Sequence, residues 1–248
     1  MAIETKIEFA GADGKAEAYL YTPSENGKWP GVLHLTDIAG IREANLGMAA
    51  RQADAGYTVV VPNIYYRTTK LPVFDFVPKM GDERSMKKFM ELRDSLLVAA
   101  MEADGHAYVA SLLARPEVSG SKVGVVGYCF TGSMAMRVAA AEPDKVAAAA
   151  SFHGGGLYTD QPDSPHKLLP KIKARLYFGH AIEDRSIPAE AIEALGVALK
   201  AWGGMFENET YPGAYHGWTV PGTPIYQESG SIRHFEKLEE LWRATLAA

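Results

Sequence analysis

The chain has 248 residues, 47% hydrophobic and 22% charged, proportions that suit a single globular domain with a sizeable core. Its 25 Lys and Arg against 30 Asp and Glu leave a net charge of −5, which argues against a nucleic-acid partner. One cysteine excludes an intramolecular disulfide and any cysteine-based metal spacing, and an unpaired thiol fits a reducing, cytoplasmic compartment.

The first residues, Met1 to Glu8, have no apolar core of signal-peptide length, and no stretch approaches the roughly 18 apolar residues of a membrane span, so no membrane association is expected. Ile3–Phe9 and Ala16–Tyr21 alternate apolar and polar residues around Gly11-Ala12-Asp13-Gly14 and predict a hairpin. Val32–Thr36 predicts a strand, Arg42–Ala55 an amphipathic helix stopped by Gly56, and Tyr57–Val61 a strand buried on both faces. Residues 62–78 are a long aromatic excursion with Tyr65, Tyr66, Phe74 and Phe76, the kind of loop that covers a site.

Asp82 to about Ala114 reads as helix, broken near Gly105. The strand ending at Val126 leads to Cys129 and a helix over Ser133–Ala141; Val146–Ser151 and Ala174–Phe178 follow as strands. Ala189–Trp202 is a helix, Met205–Tyr211 a last strand, and Tyr226–Leu246 a closing amphipathic helix. Strands alternating with helices predict an α/β fold: a mostly parallel central sheet, an N-terminal antiparallel hairpin and helices on both faces.

Gly127-Tyr128-Cys129-Phe130-Thr131-Gly132 lies between a strand and a helix, the context of the α/β-hydrolase nucleophile elbow, with sulfur in place of the serine oxygen. A thiol nucleophile needs a base, and the base needs a group that orients it. In the α/β-hydrolase order of nucleophile, acid and histidine, the loop after Phe178 offers Asp184 or Glu183, and the loop after Tyr211 offers His216. His153-Gly154-Gly155-Gly156 follows the nucleophile, whereas the lipase oxyanion motif precedes it, so it reads as a flexible turn. The other histidines show no metal-binding spacing, and no metal or cofactor is expected.

These motifs, together with Glu183-Asp184-Arg185-Ser186-Ile187-Pro188, Gly213-Ala214-Tyr215-His216-Gly217 and the segment from Asp54 to Tyr65, resemble the dienelactone hydrolase family over nearly the whole chain. The resemblance implies an α/β-hydrolase fold and a small-molecule ester or lactone substrate. It assigns Cys129 as nucleophile, His216 as base and Asp184, rather than Glu183, as acid. It also implies that the backbone N–H groups of Ile38 and Phe130 face the substrate oxygen, and that Asp37, where the family usually has Glu, is a carboxylate near the thiol.

Two departures stand out. Thr131 occupies a position that is usually Gly, and the two arginines that grip a carboxylate in dienelactone-cleaving members fall on Met86 and Val220, with Arg84 close by. Tyr65, Tyr66, Phe74, Phe76, Met86 and Trp218 are therefore expected to line a rather apolar pocket. The same site could act on another electrophile, a carbon–carbon bond or a phosphotriester, and the remaining alternative is a non-catalytic scaffold that binds a small ligand.

Overall fold

The computed structural model describes residues 1–246. The alternating segments at the start form β1 (Ile3–Gly11) and β2 (Gly14–Thr22), antiparallel and in register from Ile3 opposite Thr22 to Gly11 opposite Gly14. The apolar runs that follow become β3 (Trp29–Leu35), β4 (Thr58–Pro62), β5 (Val118–Tyr128), β6 (Val146–Phe152) and β7 (Arg175–His180), with β8 (Phe206–Thr210) at the edge. β2 pairs antiparallel with β4, and every later pairing is parallel, in one sheet of order β1-β2-β4-β3-β5-β6-β7-β8.

The central strands are apolar throughout because both faces are covered. On one face Val32, Val59, Val61 and Val126 pack with α1 (Glu43–Asp54) and α6 (Glu228–Thr245) through Met48, Ala49, Leu238 and Trp242. On the other, Leu33, Val60 and Val125 meet α3 (Val98–Leu113), α4 (Thr131–Ala141) and α5 (Ala189–Trp202) through Tyr108, Val109, Met134, Val138 and Leu195.

The long helical stretch breaks earlier than expected. α2 (Glu83–Ser95) ends before Leu96, and α3 leaves at 72° to it. Leu96 turns into the core while Leu97 is exposed. Gly105 sits inside α3, where a Cβ would come within 3.0 Å of Val138 Cγ2; its missing side chain allows α3 and α4 to approach rather than ending a helix.

After β3 the chain crosses to β4 on one side, while β5 lies on the other. The loops leaving the carboxyl ends of β3 and β5 therefore flank a topological switch point, where open α/β sheets hold their ligands.

Candidate active site

β5 passes into α4 through only two residues, Cys129 and Phe130. Cys129 adopts φ +56°, a region that residues with a Cβ enter at a cost and that clusters at functional sites. The turn is held by hydrogen bonds: Cys129 N–H donates to the Phe152 carbonyl (3.0 Å), and the Cys129 carbonyl accepts from Gly132 N–H (3.1 Å) and Gly155 N–H (3.3 Å). A Cβ on Gly127 would lie 2.1 Å from the Thr131 carbonyl oxygen, and one on Gly132 would lie 2.7 Å from Gly154 Cα. The crowding of the elbow thus falls on Gly127 and Gly132. The buried Thr131 hydroxyl accepts from Tyr128 N–H at 2.9 Å and lies 3.1 Å from the Leu35 carbonyl, so it ties the elbow to the end of β3.

Asp184 leaves the loop after β7 and His216 the loop after β8; Ile182 N–H donates to the Ala214 carbonyl at 2.8 Å and joins the two loops. His216 Nδ1 donates to Asp184 Oδ2 at 2.7 Å. The other carboxylate oxygen, Oδ1, accepts from Ser186 N–H (2.8 Å) and Ser186 Oγ–H (2.6 Å). Glu183 is exposed. Burial opposes charge on His216, but the hydrogen bond to Asp184 and the neighbouring Cys129 overcome it, and the imidazole is pushed up to about 10. Burial likewise raises Asp184, yet the bonds from His216 and Ser186 leave its carboxyl below the usual range.

Ile38 and Phe130 both line the cleft. The Asp37 carbonyl accepts from Gly40 N–H at 2.9 Å. In a trans peptide the N–H points opposite to the C=O, so Ile38 N–H is turned away from that bond. The same reasoning holds for Phe130 N–H, because the Cys129 carbonyl is held by Gly132 and Gly155. Ile38, Cys129, Phe130 and His216 all line one cleft of about 460 Å³. Tyr65, from the aromatic excursion, is buried with its hydroxyl donating to the Ile38 carbonyl at 3.0 Å.

Asp37, the carboxylate expected near the thiol, is engaged by Arg42 and by its own loop. Arg42 Nη1 and Nη2 donate to its two oxygens, each at 2.6 Å, and Ala39 N–H donates to Oδ1 at 3.0 Å. The residue shapes the loop after β3.

The expected aromatic lining is corrected: none of Tyr65, Tyr66, Phe74, Phe76, Met86 and Trp218 is among the walls of this cleft. Tyr66 donates to Asp104 (2.8 Å), Phe74 packs edge-to-face on Phe76 and Phe89, and Met86 is exposed on α2. Trp218 is buried behind His153. Val220 is buried outside the lining, and Arg84 pairs at the surface with Asp75. The cleft is lined instead by Arg93 from α2, Ser133 and Arg137 from α4, and Thr159, Gln161 and Ser164 from the segment after β6, among others. Sequence reasoning missed Arg93 and Arg137 because each sits in a regular helical pattern, and only the packing of α2 and α4 turns them to the cleft. Among the described residues no three His, Cys, Asp or Glu side chains converge as a metal site.

Residues 16–246 match the sequence profile of the Dienelactone hydrolase family. A Synechocystis sp. protein named provisionally as a carboxymethylenebutenolidase is 30% identical over 92% of this chain and 91% of its own length. The carboxymethylenebutenolidase of Rhodococcus opacus is 26% identical over 83% of this chain and 78% of its own. A solved structure from Klebsiella pneumoniae, described provisionally as a dienelactone hydrolase, superposes with a TM-score of 0.85 at 21% identity over 98% of both chains. That last likeness carries the fold; the sequence match carries the family.

Proposed function

The chain belongs to the dienelactone hydrolase family and is a hydrolase of ester or lactone bonds; from that premise we propose that it opens lactones or cleaves small activated esters through a Cys129 nucleophile. The observation that carries this reading is the shared cleft: a sulfur on a strained elbow, an imidazole held by a buried carboxylate, and two backbone N–H groups turned away from their carbonyls' partners.

His216 is charged at neutral pH, and an imidazolium is the partner that favours a reactive thiolate. The N-terminus of α4 follows Cys129 and favours negative charge at the sulfur. The thiolate attacks the carbonyl carbon, and the carbonyl electron pair moves to an oxyanion that accepts from Ile38 and Phe130 N–H. Each such donor is worth about 3 kcal/mol at the transition state. Collapse expels the alcohol, which takes the proton from His216, and leaves an acyl thioester. Neutral His216 then takes a proton from water, the hydroxide displaces the thiolate, and the acid departs.

Thiolate is itself a good leaving group, so the first adduct reverts unless the alcohol leaves well. Enol lactones, enol esters and aryl esters meet that demand, and amides do not.

The test is turnover of p-nitrophenyl acetate and an enol lactone by wild type, Cys129→Ala and Cys129→Ser. Loss of nearly all turnover in Cys129→Ala, with an acyl adduct on Cys129 trapped by mass spectrometry, supports the reading. Wild-type rates in Cys129→Ala would end it.

A further inference from the structure

The loop after β6 touches the elbow, the acid loop and the ring of the base, although its sequence reads as a flexible turn. Gly155 N–H donates to the Cys129 carbonyl (3.3 Å), and Gly156 N–H donates to the Ser186 carbonyl (2.9 Å). Ser186 in turn holds Asp184 Oδ1 through its amide and its hydroxyl. The His153 ring stands edge-to-face on His216, with centroids 5.2 Å apart.

We propose that residues 153–156 form a positioning element for the whole catalytic set, in which His153 fixes the ring of the base and the glycines fix the nucleophile and acid loops. The inference rests on the Cys129, His216 and Asp184 reading given above and extends it to residues that touch no reacting atom.

His153 is built to stay in place. It is wholly buried, at φ +41°, with its N–H donating to the Gly179 carbonyl at 2.7 Å. Its Nε2 bonds the Thr219 hydroxyl at 2.8 Å, and Trp218 closes the far side at a ring distance of 5.0 Å. The Nδ1 atom, also buried, has no partner among the described residues. Such a cost in a core is accepted where a group serves another purpose, and a leucine or phenylalanine would fill the volume without it. Burial, with the charge on His216 beside it, keeps His153 neutral, so its ring lies against an imidazolium without repelling it.

The glycines have a separate reason. A Cβ on Gly155 would lie 2.9 Å from Ser186 Cβ, and one on Gly154 would lie 3.4 Å from Gly132 Cα and 2.1 Å from Ser151 Oγ. The loop is therefore pressed between the elbow and the acid loop. By holding the Cys129 carbonyl, Gly155 also sets the direction of Phe130 N–H, the second donor to the substrate oxygen.

The experiment compares wild type with His153→Asn, His153→Phe, Gly155→Ala and Cys129→Ala. Asparagine tolerates positive φ, so the backbone is kept while the ring is lost; phenylalanine restores the ring volume. Readouts are kcat and KM for p-nitrophenyl acetate, the rate of Cys129 alkylation by iodoacetamide, and the thermal midpoint. His153→Asn is expected to lower kcat roughly 10- to 100-fold, as an ångström-scale misplacement does, with KM little changed. Alkylation slows with it, His153→Phe recovers part of the loss, and Gly155→Ala lowers kcat alone.

Values of kcat and alkylation rate within about two-fold of wild type in folded His153→Asn, or in Gly155→Ala should His153→Asn not fold, would overturn the proposal. A raised KM at constant kcat would overturn it too, because that marks a substrate contact. Undiminished turnover in Cys129→Ala would remove the nucleophile reading and this inference with it. Loss of turnover in Cys129→Ala beside unaffected His153 and Gly155 variants removes only the inference.

Discussion

At His216, desolvation pulls the proton off while Asp184 and Cys129 hold it on, and the second pair of effects wins. The sign of the consequence follows from linkage. A histidine raised from 6.5 to about 10 contributes stability that is complete below its ordinary value and lost as pH rises towards 10. The lowered Asp184 carboxyl contributes stability that is present above its ordinary 3.8 and is lost as pH falls through its depressed value. The pair therefore stabilises the fold most across the middle of the pH range and declines on both flanks. Asp184→Asn should lower the His216 titration towards 6.5, read by histidine NMR, and should destabilise the protein at pH 7 by more than at pH 10, read by urea unfolding. A His216 resonance that titrates alike in both proteins would contradict this account of the pair.

At the scale of elements, the aromatic excursion is fastened to the body rather than spread over the cleft. Asp104 on α3 is wholly buried and accepts from Arg67 Nη1 (2.5 Å) and Nη2 (2.9 Å), Tyr66 Oη–H (2.8 Å) and Ala12 N–H (3.1 Å). One carboxylate thus joins α3, the loop after β4 and the β1–β2 turn. Removing one partner of a fully buried pair costs about 3–5 kcal/mol because the other charge is stranded; Arg67 is part-exposed and keeps its ion pair with Asp13 at 2.6 Å, so the loss here is smaller. Asp104→Ala should therefore lower stability in urea by less than that range, while kcat in the folded protein changes little, since neither Arg67 nor Tyr66 lines the cleft. A kcat that falls in proportion to stability would instead tie this cluster to the site. Tyr65 is the exception within the excursion. Its hydroxyl holds the Ile38 carbonyl, so Tyr65→Phe should lower kcat roughly ten-fold, less than the roughly 100- to 1000-fold that loss of an oxyanion donor itself costs, by loosening the loop after β3. Unchanged kcat in steady-state assays would show that the loop holds its shape without that bond.

Over the whole molecule, what could be read from the sequence was what is local. Strand runs, the hairpin turn and the residues just after strands carry their own signals, and they placed the sheet, the elbow, Asp184 and His216 in their loops. What escaped depends on which surfaces meet. Gly105 reads as a helix break and is a contact with Val138; Arg93 and Arg137 read as helix positions and are cleft walls; Tyr66, Phe74 and Phe76 read as a pocket and are pinned or packed elsewhere. A glycine or an aromatic residue states a capacity, and the partner that uses it lies far away in the chain.

Gly124 and Trp242 show the same principle in a form that can be measured. Trp242 on α6 is fully buried, its Nε1 donates to Gln52 Oε1 at 3.3 Å, and Gln52 Nε2 meets His34 Nδ1 at 2.9 Å, so the last helix is joined through α1 to β3. The indole rests on β5 at Gly124, where a Cβ would come 2.7 Å from its ring. Truncating a buried tryptophan costs about 3–5 kcal/mol, and overpacking at a glycine costs about 1–3 kcal/mol. Each change alone should destabilise the protein by those amounts in urea. Together they should cost less than their sum, because the methyl group at 124 enters space that the indole has left. A double mutant whose loss equals the sum would mean that the sheet yields at Gly124 by itself, and that α6 is not seated through this contact.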